Sequence, residues 1–160
     1  MCLLRNLFLV GLMAWGSAAA QGLVTQRTMS LGMAMTIAEA TLNACKSGGF
    51  HTSAVVVDRG GQVLVALRDE MATPQTTEMA RRKAYTAVMF RSTTLEFQKR
   101  TEDPALAPQR QVPDILALGG GVPIRAGNEI VGGVGSSGSS QQMDDQCAKA
   151  GLAKVAELLK

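Results

Sequence analysis

Residues 115–140 read ILALGGGVPIRAGNEIVGGVGSSGSS and run directly into QQMDDQCAKAGLAKVAELL at 141–159. The pattern predicts a strand over Ile115–Leu118, a tight connection, a second strand over Glu129–Gly135, a glycine loop and a closing helix. Gly135, Ser136, Ser137 and Gly138 then fall in a loop whose backbone N–H groups, with the positive end of the helix dipole, would hold a carboxylate or phosphate. Gly133–Gly138 also satisfies the G-x-G-x-x-G spacing of dinucleotide sites. That reading is set aside, because the fingerprint needs a βαβ unit with a strand after the helix, and none follows in this sequence.

Upstream, Ser30 is placed to cap a helix whose apolar stripe is Leu31, Met35, Ala38, Leu42 and Cys45, and Gly48-Gly49 ends it. A β-branched run over Thr52–Val57, turn residues Asp58-Arg59-Gly60-Gly61 and a second run over Gln62–Arg68 predict a hairpin. Thr73-Pro74 opens a helix to about Phe90 with a small buried face of Ala80, Ala84, Ala87 and Val88. Thr93 and Glu96 have capping-box spacing for a short helix through about Arg100. The element order α-β-β-α-α-β-β-α contains two hairpins and no standard crossover. It predicts an α+β fold, a four- to five-stranded antiparallel sheet packed with helices.

Composition bounds the function. The 160 residues are 46% hydrophobic and 18% charged, as in one ordinary globular domain. The net charge is +3 and the pI near 9.0, but the 13 acidic and 16 basic residues are interleaved and aromatics are only 4%. Nucleic acid is therefore not the expected partner. Residues 1–20 have the form of a signal peptide: Arg5, an apolar core over Leu7–Trp15 too short to span a bilayer, and Ser17-Ala18-Ala19-Ala20 before the cleavage point. Residues 21–160 are read as a single domain, released into the periplasm or secreted, without stable membrane insertion. Cleavage leaves two cysteines, Cys45 and Cys147. In an oxidising compartment the even count favours a disulfide over a pair of buried thiols.

The segments AVVVDRGGQVLVALRDEMATPQTTEMARRKAYTA (54–87) and GGGVPIRAGNEIVGGVGSSGSSQQMDDQCAKAGL (119–152) resemble the GlcG/HbpS family, also called the DUF336 or haem-degrading domain. The resemblance implies a profilin-like α/β sandwich, assembly into homo-oligomers, and in some members haem binding.

The chemistry-bearing residues are few. His51 is the only histidine, which excludes a two-histidine metal centre and leaves one imidazole as an iron ligand or a general base. No C-x-x-C-H motif provides covalent haem attachment. Met71 and Met143 rank below His51 as iron ligands, since methionine more often fills a core. Arg68 closes the second strand and suits a carboxylate, whereas Arg81, Arg82 and Lys83 read as a charged exposed helix face. Asp58 and Asp69 read as turn and strand-end residues. No G-x-S-x-G, P-loop or zinc-ligand spacing occurs. The leading reading is an exported protein that holds haem or a related tetrapyrrole non-covalently, with His51 as the metal ligand and Arg68 and the loop at its carboxylates. Two others stand beside it: an enzyme or accessory protein acting on a small organic acid, with His51 or Asp58 as base, and an assembly module without chemistry.

Overall fold

A computed structural model describes Gly22 and residues 24–160; the signal-peptide reading of residues 1–20 lies outside them. The elements are α1 (Leu31–Ser47), β1 (Ser53–Asp58), β2 (Val63–Arg68), α2 (Gln75–Phe90), α3 (Thr94–Arg100), β3 (Gly121–Ala126), β4 (Glu129–Ser137) and α4 (Gln141–Ala153). Short 3₁₀ turns occupy Ala107–Gln111 and Ala156–Leu159. All strand pairings are antiparallel, in the order β2-β1-β4-β3. The sheet has four strands, and the α+β order read from the sequence holds.

The two faces of the sheet are built differently. On one face a row of valines, Val65–Val56–Val134–Val122, crosses all four strands and packs with Ala34, Ile37 and Ala38 of α1 and Ala148 of α4. On the other, Val55 and Val57 stand beside Gly135 and Gly133, and Gly121 continues the row. Central strand β4 thus presents a glycine trough to α2. A Cβ on Gly133 would come within 2.7 Å of the Ala84 carbonyl oxygen, and one on Gly121 within 2.2 Å of the Lys83 carbonyl oxygen. Ala80, Ala84 and Val88 fill the trough from above. Small residues on both sides let helix and sheet backbones approach closely.

The caps follow the local chemistry. Ser30 accepts from the Met33 N–H at 3.2 Å, and Thr93 and Glu96 make the reciprocal capping box. Within α1 the buried residues are Ala34, Ile37, Ala38, Thr41 and Cys45. Leu31, expected on the inner stripe, is 60% exposed: it shares the arc of buried Ala38 but sits in the first turn, before Ala34, the first buried residue of the helix.

Two boundaries differ from the sequence reading. Ile115–Leu118 is not a strand: the Leu116 N–H donates to Thr86 Oγ1 at 2.9 Å, and Arg82 donates to the Ile115 carbonyl at 2.6 Å. Side chains of α2 take the bonds a ladder would have supplied, and Asp114 (φ 67°) and Gly120 (φ 121°) turn the chain on either side. The strand falls instead on Gly121–Ala126, where Pro123 is tolerated because β3 is an edge strand. The second difference is that β4 continues to Ser137, because Ser136 and Ser137 pair with Ala54 and Ser53.

The disulfide forms. Cys45 in α1 and Cys147 in α4 are bonded, with Cα atoms 5.4 Å apart and a sequence separation of 102. Both are buried.

Candidate functional site

The starts of β1 and α4 and the ends of α1, β2 and β4 meet at one end of the sheet. His51, the residue before Thr52 and β1, lies there with its side chain 49% exposed. Its Nδ1 is 2.8 Å from Asp69 Oδ1. Asp69 follows β2, and its side chain is 1% exposed. The same oxygen accepts the Met71 N–H at 2.9 Å, and Oδ2 faces Lys46 Nζ of α1 at 2.9 Å. The Met71 N–H, then Lys46 and His51, hold the Asp69 carboxyl below its ordinary 3.8, at about 2. Asp69 in turn raises Lys46 by hydrogen bonding and charge. An ionised carboxylate only accepts, so the neutral His51 ring carries its proton on Nδ1. Nε2 is left with its lone pair.

The backbone at this end is tightly mounted. The Asp69 N–H donates to the Thr52 carbonyl at 3.0 Å, and the Ala72 N–H donates to the Asp69 carbonyl at 3.0 Å. Gly138 lies beneath the His51–Thr52 peptide: its φ is 138°, and a Cβ there would sit 2.5 Å from the His51 carbonyl oxygen. Arg68, on the exposed edge strand, donates to the Ala72 carbonyl and closes the β2–α2 connection. Met71 projects beside Asp69 with 68% exposure.

The predicted glycine loop is mostly strand. Gly135, Ser136 and Ser137 are strand residues, buried in the centre of the sheet. Gly135 pairs with Val55 and Gly121. The Ser136 N–H donates to Gly120, and its hydroxyl lies 3.6 Å from Cys45 Sγ. The start of α4 is satisfied by its own neighbours: Ser140 Oγ accepts the Met143 N–H, and Asp144 Oδ1 accepts the Ser139 N–H and hydroxyl. Gly138 serves close packing under His51.

Lys83 departs most from the sequence reading. Its neighbours Arg81 and Arg82 reach Asp114 and the 114–115 carbonyls, but Lys83 turns inward and its side chain is 2% exposed. Its Nζ donates to Asp144 Oδ2 at 2.8 Å and to the Ser136 carbonyl at 3.0 Å. Burial pushes the Lys83 ammonium below its ordinary value, and the Asp144 charge and hydrogen bond oppose that shift. Gly120 makes the opening for this pair, since a Cβ there would lie 2.7 Å from Asp144 Cβ and 3.1 Å from Lys83 Nζ. Helix periodicity should have flagged Lys83, which precedes Ala84 and follows Ala80 by three residues on the small-residue face. Asp69 and Lys46 carried no sequence signal beyond turn and helix-end chemistry.

Among the described residues no cluster of three or more histidines, cysteines and carboxylates is arranged to hold a metal ion, and no helix is long and apolar enough to cross a membrane. A metal bound at this end would depend on His51 Nε2, with the iron's remaining ligands drawn from its own macrocycle. The donor set therefore fits haem iron, which arrives with four equatorial ligands, and does not fit a free divalent ion.

The antiparallel sheet with helices on both faces defines a small α/β sandwich, with a single carboxylate-oriented histidine at one end. The chain belongs to the HbpS-like family, described as haem degrading protein HbpS-like, whose model matches residues 29–153. It is similar to a double mutant of HbpS from Streptomyces reticuli, with 37% identity, a TM-score of 0.80, and 89% of this chain and 99% of that one covered. The haem complex of PduOC shares the fold, with a TM-score of 0.72 at 24% identity over 79% of this chain and 94% of that one. A Citrobacter freundii protein described as an uncharacterized 15.0 kDa protein in the dhaT-dhaS intergenic region is 31% identical over 106 residues, 64% of this chain and 75% of its own length.

Proposed function

We propose that this chain is an exported, non-covalent haem-binding protein in which His51 Nε2 would hold the iron. The observation that carries the reading is the Asp69–His51 contact at 2.8 Å, which in the neutral form of this half-exposed ring puts the proton on Nδ1 and leaves Nε2 its lone pair. Support at the level of the family comes from the HbpS-like match and from a structural neighbour crystallised with haem. When bound, haem would supply the redox-active iron; the chain would supply an oriented imidazole, with the exposed Met71 and the Arg68 guanidinium at the same end of the sheet. Buried Gly135, Ser136 and Ser137 take no part. Assembly into a homo-oligomer belongs to the same proposal and follows the family resemblance.

Haemin titrated into the mature protein should give a saturable shift of the Soret band, and His51→Ala should change its position and weaken binding. A wild-type protein that leaves the haemin spectrum unchanged overturns the reading. An unaltered spectrum in His51→Ala removes His51 as ligand. The same dyad gives a second reading, His51 as general base toward a small organic acid; this one predicts a histidine-dependent turnover and no Soret change.

A further inference from the structure

We infer that Asp69 is a positioning residue for His51: through Nδ1 it fixes the ring's tautomer and direction and so makes Nε2 a competent iron ligand. The inference rests on the haem reading for its purpose, though not for its geometry. Asp69 is a carboxylate that the fold holds almost entirely out of water while the imidazole it touches is half exposed. A buried carboxylate fixed from several sides is a firm mount; an exposed one would swing with its histidine.

Each attachment has a separate origin. The Asp69 backbone is tied to β1 through the Thr52 carbonyl and to its own turn through the Ala72 N–H, both at 3.0 Å. Its Oδ1 is shared between the Met71 N–H at 2.9 Å and His51 Nδ1 at 2.8 Å. Its Oδ2 faces Lys46 at 2.9 Å, and Lys46 directly follows Cys45 of the disulfide. The Met71 N–H bond and the Lys46 charge contact hold the carboxylate whether or not His51 is present. The third contact therefore acts on the ring rather than on the folding of the turn. A carboxylate behind a ligating imidazole fixes the tautomer and raises ligand basicity. An anionic partner also favours the ferric over the ferrous state, because it stabilises positive charge at the metal.

The first readout needs no haem. Nitrogen chemical shifts of ¹⁵N-labelled His51 in the haem-free protein should report the proton of the neutral ring on Nδ1. In Asp69→Asn the Nε2-protonated form should gain population, while Lys46→Ala, which leaves Asp69 in place, should keep the wild-type tautomer. Haemin affinity in Asp69→Asn should fall about tenfold to a hundredfold, the range usual for loss of such a partner, and the reduction potential of the bound iron should rise. Nε2–H as the main form in the wild-type ring overturns the inference, and this measurement stands even if Asp69→Asn fails to fold. A tautomer unchanged in a folded Asp69→Asn overturns it as well. A shifted tautomer with unchanged haemin affinity upholds Asp69 as the residue that sets the ring and overturns His51 as the iron ligand.

Discussion

The Ala80 carbonyl oxygen of α2 lies where a side chain on Gly135 of β4 would begin: a Cβ at that position would be 2.0 Å away. Gly135→Ala therefore forces α2 off the sheet. Overpacking of this kind costs about 3 kcal/mol, the upper end of the usual range, and chemical denaturation should show it as a lower midpoint. Gly138→Val should behave similarly, since it adds a β-branched side chain at φ 138° against the His51 carbonyl. Loss of His51-dependent binding in Gly138→Val should therefore accompany lost stability. A stable Gly138→Val protein with weakened binding would instead restore the loop as a ligand contact.

Lys83 and Asp144 tie helices on opposite faces of the sheet through the opening at Gly120. Removing one partner leaves a buried charge alone. Lys83→Met or Asp144→Leu should each destabilise by about 3–5 kcal/mol. The double substitution should recover much of that loss, since a well-packed apolar pair can replace a buried ion pair. Urea unfolding of the four proteins in the cycle measures the coupling.

Breaking the Cys45–Cys147 bond releases a loop with a sequence separation of 102. Chain entropy assigns such a crosslink about 4–5 kcal/mol. The Cys45→Ser/Cys147→Ser protein should unfold at correspondingly lower denaturant, and the wild type should approach it only in reductant.

Acid should weaken the fold through Asp69. Its folded value of about 2 is below the ordinary 3.8, so the folded state favours the ionised form. The stabilisation is fully present above about 3.8 and is lost as pH falls through about 2. Asp69→Asn should be less stable than wild type near neutrality and show a shallower decline over that interval. Glu78, lowered by its hydrogen bond to Arg81, leaves part of the acid limb intact. Equilibrium unfolding at stepped pH values tests the sign.

Export is checked by mass. Cleavage after Ala20 would make Gln21 the first residue of the released protein, and an intact mass that includes Met1 in a membrane fraction contradicts it.

The order of elements was legible in the sequence because most helices and strands advertised themselves locally; β3 did not, and was read six residues early. Ser30 and the Thr93–Glu96 pair marked helix starts, and the Val55–Val57 run marked a central strand. The cysteine pair was legible from its even count, read together with the expected export. The candidate site was only half so. His51 stood out as the single histidine, but its partner Asp69 looked like any acid after a strand; burial and the Lys46 contact come from packing that no local pattern encodes. Glycine misled most. Gly133 and Gly135 carried the signature of a phosphate loop, yet their missing side chains admit α2. Local composition does not distinguish a glycine that frees the backbone from one that clears space for another segment.

The strand order has a consequence for synthesis. β1 finds its central neighbour in β4, and each of the two local hairpins contributes only one inner strand. A chain halted before β4 holds a two-stranded hairpin, too small to stand alone in water, with the hydrophobic face of α1 still waiting for α4. No early fragment is therefore a folding unit. The sheet assembles as a late event, after the ribosome has delivered nearly the whole domain, and a truncation removing the final strand and helix abolishes the fold rather than trimming it.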